Sequence, residues 1–226
     1  MQLGEDTITM SMTLNPVNEA AFQKAVQSLE TLNRAAVFHP TGTGKSCIAW
    51  KVVEAHPQTT FFWLVAGAQR LALRQAELTR YNGGILPGNV RFCDCEKLAA
   101  ATPEQWVRLE EQKPGCIVLD CYHELSAVCW AQSVQKLLRM CPQAKVLGLG
   151  VPNGAPVCAA AQELFADCIV SHMTVAEAMA AGTMPVPSAY AALLWPQEEE
   201  LATLRARIKN LCMPKGCLLY TSPSPR

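Results

Sequence analysis

The sequence predicts an α/β fold: a mostly parallel sheet with helices on both faces, carrying a phosphate-binding loop. Short apolar runs alternate with helix-length amphipathic runs, the order that builds parallel strands joined by crossover helices. Ala35-Ala36-Val37-Phe38, Thr59 to Val65 and Ile117-Val118-Leu119 are apolar without a period of two, as in strands buried on both faces. Between the first of these and a helical run stands His39-Pro40-Thr41-Gly42-Thr43-Gly44-Lys45-Ser46, the position and composition of a P-loop.

The elements follow in order. Residues 1–13 read as a flexible lead-in. Asn15-Pro16 opens a helix to about residue 31, with Ala20, Phe22, Val26 and Leu29 on its apolar side. A strand at 35–38 leads into the loop, and the helix from Ser46 to Ala55 ends at His56-Pro57. A strand over 59–65 is followed by a turn at Gly67 and a helix over 69–80. A strand over 89–93 precedes helices over 94–100 and 103–112. A strand over 115–119 ends at Asp120. A helix over 126–140 carries Trp130, Val134, Leu137 and Leu138 on one face. A strand over 145–149, a helix over 156–166 and a strand over 167–171 complete the unit. Pro185, Pro187 and Pro196 mark a linker. A helix over 197–212 has acids at its start, bases toward its end, and a stripe of Leu201, Leu204, Ile208 and Leu211.

Composition excludes several classes. Lys+Arg and Asp+Glu number 19 each, so the whole chain has no basic footprint for nucleic acid. No run of about 18 apolar residues supports a membrane span, and the acidic start lacks a secretory signal pattern. The 11 cysteines are scattered, and Cys93 and Cys95 have no second pair at metal-site spacing. They read as reduced thiols acting as small hydrophobes, which fits a cytoplasmic protein.

The loop chemistry is specific. Gly42 and Gly44 allow the backbone to turn successive N–H groups toward an anion, and the helix N-terminus adds positive potential there. Thr41 to Ser46 would line the phosphates. Lys45 would reach the β- and γ-phosphates of ATP, and the Ser46 hydroxyl would ligate Mg²⁺. A full G-x-x-x-x-G-K-[ST] pattern would place glycine where His39 stands. A chance Gly-Thr-Gly turn is the alternative. An Asp at a neighbouring strand tip is the second requirement, and Ile117-Val118-Leu119-Asp120 supplies it as a candidate metal and catalytic residue. Hydrolysing proteins of this kind usually follow that Asp with Glu; here the residue is Cys121. A thiol with a pKa of about 8.5 is mostly neutral near pH 7 and a poor proton acceptor.

The stretches FQKA, HPTGTGKS, IVLDCYH, VLGLGVP and ELFADCIVSHMTVAEAMAAGTMPVP resemble the N-terminal RecA-like lobe of superfamily 2 helicases. The nearest branch is the DEAD/DEAH-box and type III restriction-like bacterial proteins. The resemblance runs over residues 14–212. It implies a RecA-like ATP-binding domain over 14–173 and an inter-lobe linker and helix, an incomplete second domain, over 174–212. It implies that Gln23 reads adenine, that Lys45 and Ser46 belong to motif I, and that Asp120 and His123 are the first and last residues of motif II. Met173 to Pro187 is similar to the family's passage out of the first lobe. An exposed helix glutamine is the alternative for Gln23, and a locally bonded loop histidine for His123. Arg70 and Arg74 either touch a nucleic-acid backbone or form a solvated helix face. His39 and His56 read as structural.

The departures from the family are equally concrete. Motif II has Cys121 in place of Glu, and motif III reads Gly150-Val151-Pro152 without the usual hydroxyls. The second lobe, with its arginine fingers and half of the nucleic-acid groove, has no counterpart here, so a chain cut short after the first lobe is expected. The last ten residues, from Cys217, resemble translated adapter sequence; residues 213–226 are expected to be a non-native or disordered tail. The resemblance implies the ATP-binding lobe of a nucleic-acid-dependent ATPase, weak or inactive in hydrolysis, using ATP and Mg²⁺, with DNA or RNA engaged through the second lobe. The alternatives are a pseudo-ATPase that binds nucleotide as an interaction module, and a P-loop kinase.

Overall fold

The fold is known from a computed structural model, which describes residues 12–120, 122, 128–152, 164–186 and 198–210. The chain divides into two units, Met1–Val186 and Pro187–Arg226. In the first unit, α1 (Pro16–Thr31), β1 (Arg34–Phe38), α2 (Lys45–Ala55), β2 (Phe61–Val65) and α3 (Ala68–Tyr81) come first. They are followed by β3 (Val90–Asp94), α4 (Cys95–Ala99), α5 (Pro103–Glu111), β4 (Cys116–Leu119), α6 (Val128–Met140) and β5 (Lys145–Gly150). A 3-10 turn (Ala166–Cys168), β6 (Ile169–His172) and α7 (Val175–Ala180) close it. The second unit holds α8 (Glu198–Asn210), with Glu198, Glu199 and Glu200 in its first turn.

The six strands form one sheet in the order β3-β2-β4-β5-β1-β6, and every pair is parallel. β2 and β4 are buried along their whole length, as continuous apolar runs require when helices cover both faces. One face packs Ala25, Leu29, Ile48, Val52 and Leu78 against Val37, Trp63 and Val118. The other packs Leu98, Trp106, Val134 and Leu137 against Phe62, Ile117 and Leu119. Alternate residues of each strand therefore feed two cores. Cys95 and Cys116 sit in these cores, and burial pushes both thiols up to about 12. No helix among the described residues is long and apolar enough to cross a membrane.

Local signals explain the element ends. Asn15 caps α1 by accepting from the Asn18 amide at 2.8 Å, with Pro in the first turn. Thr102 with Gln105, and Thr174 with Glu177, form reciprocal capping boxes at α5 and α7. The sixth strand starts at Ile169 rather than 167, because a 3-10 turn occupies 166–168. Most of the helix expected over 156–166 lies outside the described residues, as do Leu211 and the side chains of Trp130, Leu204 and Ile208. The buried stripe of α1 is Asn18, Ala21, Ala25, Ser28 and Leu29, and Ala20 is exposed. Of the expected apolar side, Leu29 is buried and Phe22 and Val26 pack against the same core, while Ala20 gives way because two polar residues belong to the buried stripe. Asn18 Nδ2 donates to Thr43 O at 2.8 Å and Ser28 Oγ donates to Arg34 O at 2.5 Å, which offsets part of the cost of burial, although Asn18 Oδ1 is buried without a partner among the described residues.

β5 lies between β1 and β4, and its two glycines let bulky rings approach. A Cβ at Gly148 would fall 2.6 Å from Cζ of the fully buried Phe165. Gly148→Ala is expected to lower unfolding free energy by about 1–3 kcal/mol through overpacking, read as a lower denaturation midpoint in urea.

Candidate functional site

The site is assembled at the C-terminal ends of parallel strands, where loops of an open α/β sheet gather. Phe38 of β1 pairs with Gly150 of β5, and Leu119 of β4 pairs with Gly148. With strands about 4.8 Å apart, the tips of β1 and β4 stand roughly 10 Å apart, bridged by the tip of β5. The loop follows one of these tips and Asp120 follows the other.

Gly42 and Gly44 have φ of +88° and +89°, the left-handed region that glycine enters without strain. Gly44 is the N-cap of α2 and offers no side-chain cap. Gly44 O accepts from the amides of Cys47 at 2.9 Å and Ile48 at 3.3 Å, and the partial positive charge of the helix N-terminus suits an anion. Three side chains brace the loop. Thr43, buried, donates from Oγ1 to Pro40 O at 2.8 Å. Lys45 donates from Nζ to His39 O at 2.7 Å and Pro40 O at 2.8 Å. Asn18 of α1 donates to Thr43 O, and a Cβ at Gly44 would fall 2.8 Å from its Nδ2. Thr41 and Gly42 are exposed, while Gly44, Lys45 and Ser46 are half-buried.

His39, at the position where a full pattern has glycine, is fully buried. Its Nε2 lies 2.7 Å from Ser171 Oγ on β6, and its amide donates to Gly150 O at 3.2 Å. It therefore links the loop to β5 and β6. Burial, and then the nearby Lys45 and His172 charges, lower its pKa to about 4. His56 caps the end of α2, its Nδ1 lying 2.8 Å from Val52 O.

Asp120 is buried, with its amide donating to Leu64 O at 3.0 Å. Its Oδ2 accepts from Trp63 Nε1 at 3.2 Å and from Arg74 Nε at 2.5 Å. Arg74 also pairs with Glu77 on the next turn of α3. Burial opposes the guanidinium charge, but the Asp120 and Glu77 carboxylates prevail and raise its pKa. Arg74 is thus half-buried and paired with two carboxylates, where a wholly solvated helix face was the alternative. Arg70, one turn earlier, is exposed.

The fold brings Thr41 to Ser46 together in one loop and sets Asp120 on the neighbouring rim. Gln23 is on the exposed face of α1, where Nε2 donates to Glu19 at 2.8 Å. Cys121 and His123 lie outside the described residues. Asn18 was not foreseen as a site residue and Arg74 was considered only for nucleic acid or solvent, although each interrupts an apolar stripe: Asn18 with Ala21 and Ala25, Arg74 with Leu71 and Leu78. A cleft of about 320 Å³ lined by Phe92, Lys97, Leu98, Arg108 and Leu109 adjoins the β3 edge, on other strands than the loop.

No family model and no curated protein matches the chain. Among solved structures it matches the ATP-dependent Type ISP restriction-modification enzyme LlaBIII bound to DNA, with a TM-score of 0.54 and 14% identity. The match covers 76% of this chain and 16% of that one, so this chain spans about a sixth of the neighbour's length. Domain III of the Thermotoga maritima replication initiation protein DnaA matches at a TM-score of 0.37 and 11% identity, over 68% of this chain and 59% of that one. The chain has the RecA-like P-loop NTPase fold.

Within that fold, the uncapped helix, the two positive-φ glycines and Lys45 fit a polyphosphate. A divalent ion fits less well. Ser46 stands in the first turn of α2, but Asp120 is already engaged by a guanidinium and an indole N–H. Among the described residues no cluster of three His, Cys, Asp or Glu is placed to hold a metal.

The His39 environment has a consequence for stability. Below pH 6.5 the unfolded chain binds a proton that the folded chain refuses until about pH 4. Stability is therefore expected to fall as pH drops from 6.5 toward 4. Urea unfolding of wild type and His39→Gln across that window checks it: the difference between the two should narrow or reverse as pH falls.

Proposed function

We propose that this chain binds a nucleoside triphosphate, ATP by preference, with its phosphates in the Thr41–Ser46 loop. The observation that carries the reading is the union of Gly42 and Gly44 at positive φ, an uncapped α2 N-terminus and Lys45 at one strand tip. Lys45 would exchange the His39 and Pro40 carbonyls for phosphate oxygens, a stronger, charge-assisted pairing. Mg²⁺ would arrive on the phosphates, with the Ser46 hydroxyl as its ligand from the loop.

The finer reading is the ATP-binding lobe of a superfamily 2 helicase-like ATPase that acts with DNA or RNA. The motif I residues Lys45 and Ser46, the position of Asp120 on the neighbouring rim, and the fold shared with an ATP-dependent enzyme bound to DNA support it. Hydrolysis by this chain alone should be weak. Loss of a general base costs about 10²–10⁴ in rate, and the sequence has Cys121 at the position where that base is expected. The Arg74–Asp120 pair favours a second reading, a domain that binds nucleotide without turning it over and uses the bound state to engage a partner.

Isothermal titration with ATP tests the proposal. Lys45→Ala is expected to weaken binding by about 10- to 100-fold, the loss of a hydrogen bond to a charged group. Wild type should show negligible turnover, and turnover restored by Cys121→Glu would support the disabled-ATPase reading. An affinity unchanged by Lys45→Ala would remove the loop from nucleotide binding.

A further inference from the structure

We propose that the Arg74 guanidinium occupies the place of a divalent cation at Asp120, so that this carboxylate adds nothing to metal affinity while Arg74 is in position. The inference deepens the reading above and rests on it for the significance of Asp120. It identifies Arg74 as a positioning residue that sets the cation requirement of the site.

The arrangement is built from both sides. Asp120 is buried, and two donors converge on its Oδ2, Arg74 Nε at 2.5 Å and Trp63 Nε1 at 3.2 Å. Trp63 is itself fully buried in β2, so its indole cannot swing away without opening the core. Arg74 is half-buried, and Glu77 holds it on the side away from Asp120. A guanidinium between two carboxylates stays charged and keeps its place. Mg²⁺ and Mn²⁺ approach a carboxylate with much of their water shell and prefer near-octahedral geometry. A guanidinium fixed against the carboxylate repels such an ion and offsets the attraction of the carboxylate. Removing the guanidinium takes one positive charge from beside a buried carboxylate, and a divalent ion can replace that charge.

The test uses the full chain without nucleotide and Mn²⁺ as probe. The Trp63 indole N–H lies against Asp120 Oδ2, so its ¹⁵N–¹H resonance broadens when a paramagnetic ion binds that carboxylate. Assignment comes from Trp63→Phe. In wild type the resonance is expected to stay sharp as Mn²⁺ is added. In Arg74→Gln it should broaden at the same concentrations, reflecting an affinity gain on the order of tenfold or more. Arg74→Lys keeps the charge and should behave as wild type. Broadening in wild type overturns the proposal, as does broadening in Arg74→Lys or a sharp line in folded Arg74→Gln. If Arg74→Gln does not fold, Arg74→Met, which removes the charge and keeps the chain length, is read in its place: broadening supports the proposal and a sharp line overturns it. Because no nucleotide is present, the outcome is independent of whether the loop binds ATP; failure of the loop to bind would overturn the proposed function and leave this result standing.

Discussion

Everything in the site depends on parallel pairing across β1, β5 and β4. Parallel strands deliver their C-terminal ends to one rim, so the loop after β1 and the acid after β4 meet there although 75 residues separate Lys45 from Asp120. The pairing is held by burial on both faces. A slip of one residue would send Val37, Trp63 and Val118 into the opposite core and bring Ile117 and Leu119 into theirs. The glycines of β5 preserve that pairing by making room for Phe165 and Phe38. The chemistry at the rim therefore inherits its geometry from the packing of two cores.

The rim carries two cations with distinct duties. Lys45 is held by backbone carbonyls, partners it can exchange for phosphate oxygens with little rearrangement. Arg74 is held by two carboxylates, partners that keep it charged and in place. The first arrangement suits a group that must take up a ligand. The second suits a group that must hold its position, and removing one partner of such a buried pair typically costs about 3–5 kcal/mol. Asn18 and His39 complete the support: one ties the loop to α1, the other ties its first residue to β5 and β6. The histidine fills the position that a fuller motif gives to glycine, and its ring is accommodated because Ser171 receives it.

Much of this was legible in the chain. The strands could be read because burial on both faces leaves uninterrupted apolar runs such as Phe61–Val65, and the loop because glycine, lysine and serine sit at a spacing with a physical reason. Helix starts followed from Asn15-Pro16 and Thr102-Pro103, whereas the helix that Thr174 caps falls in a stretch read as linker. The polar tertiary contacts were not legible. Asn18 reaches Thr43 across 25 residues and Arg74 reaches Asp120 across 46, and no local pattern encodes such a meeting. Ala20 was misplaced for the same reason: the side of α1 that packs inward is chosen by Asn18 and Ser28 finding backbone partners, which hydrophobicity does not register. Arg74 resembled a surface residue because arginine usually is one.

The central claim, that the loop is a phosphate cradle, is tested most directly by following backbone amides in a ¹⁵N–¹H titration with ATP. The account expects the amides of Gly42, Gly44, Lys45 and Ser46 to show the largest shifts, with the α2 first turn moving as one group. Saturable shifts confined to other surfaces, such as the cleft beside β3, would contradict it.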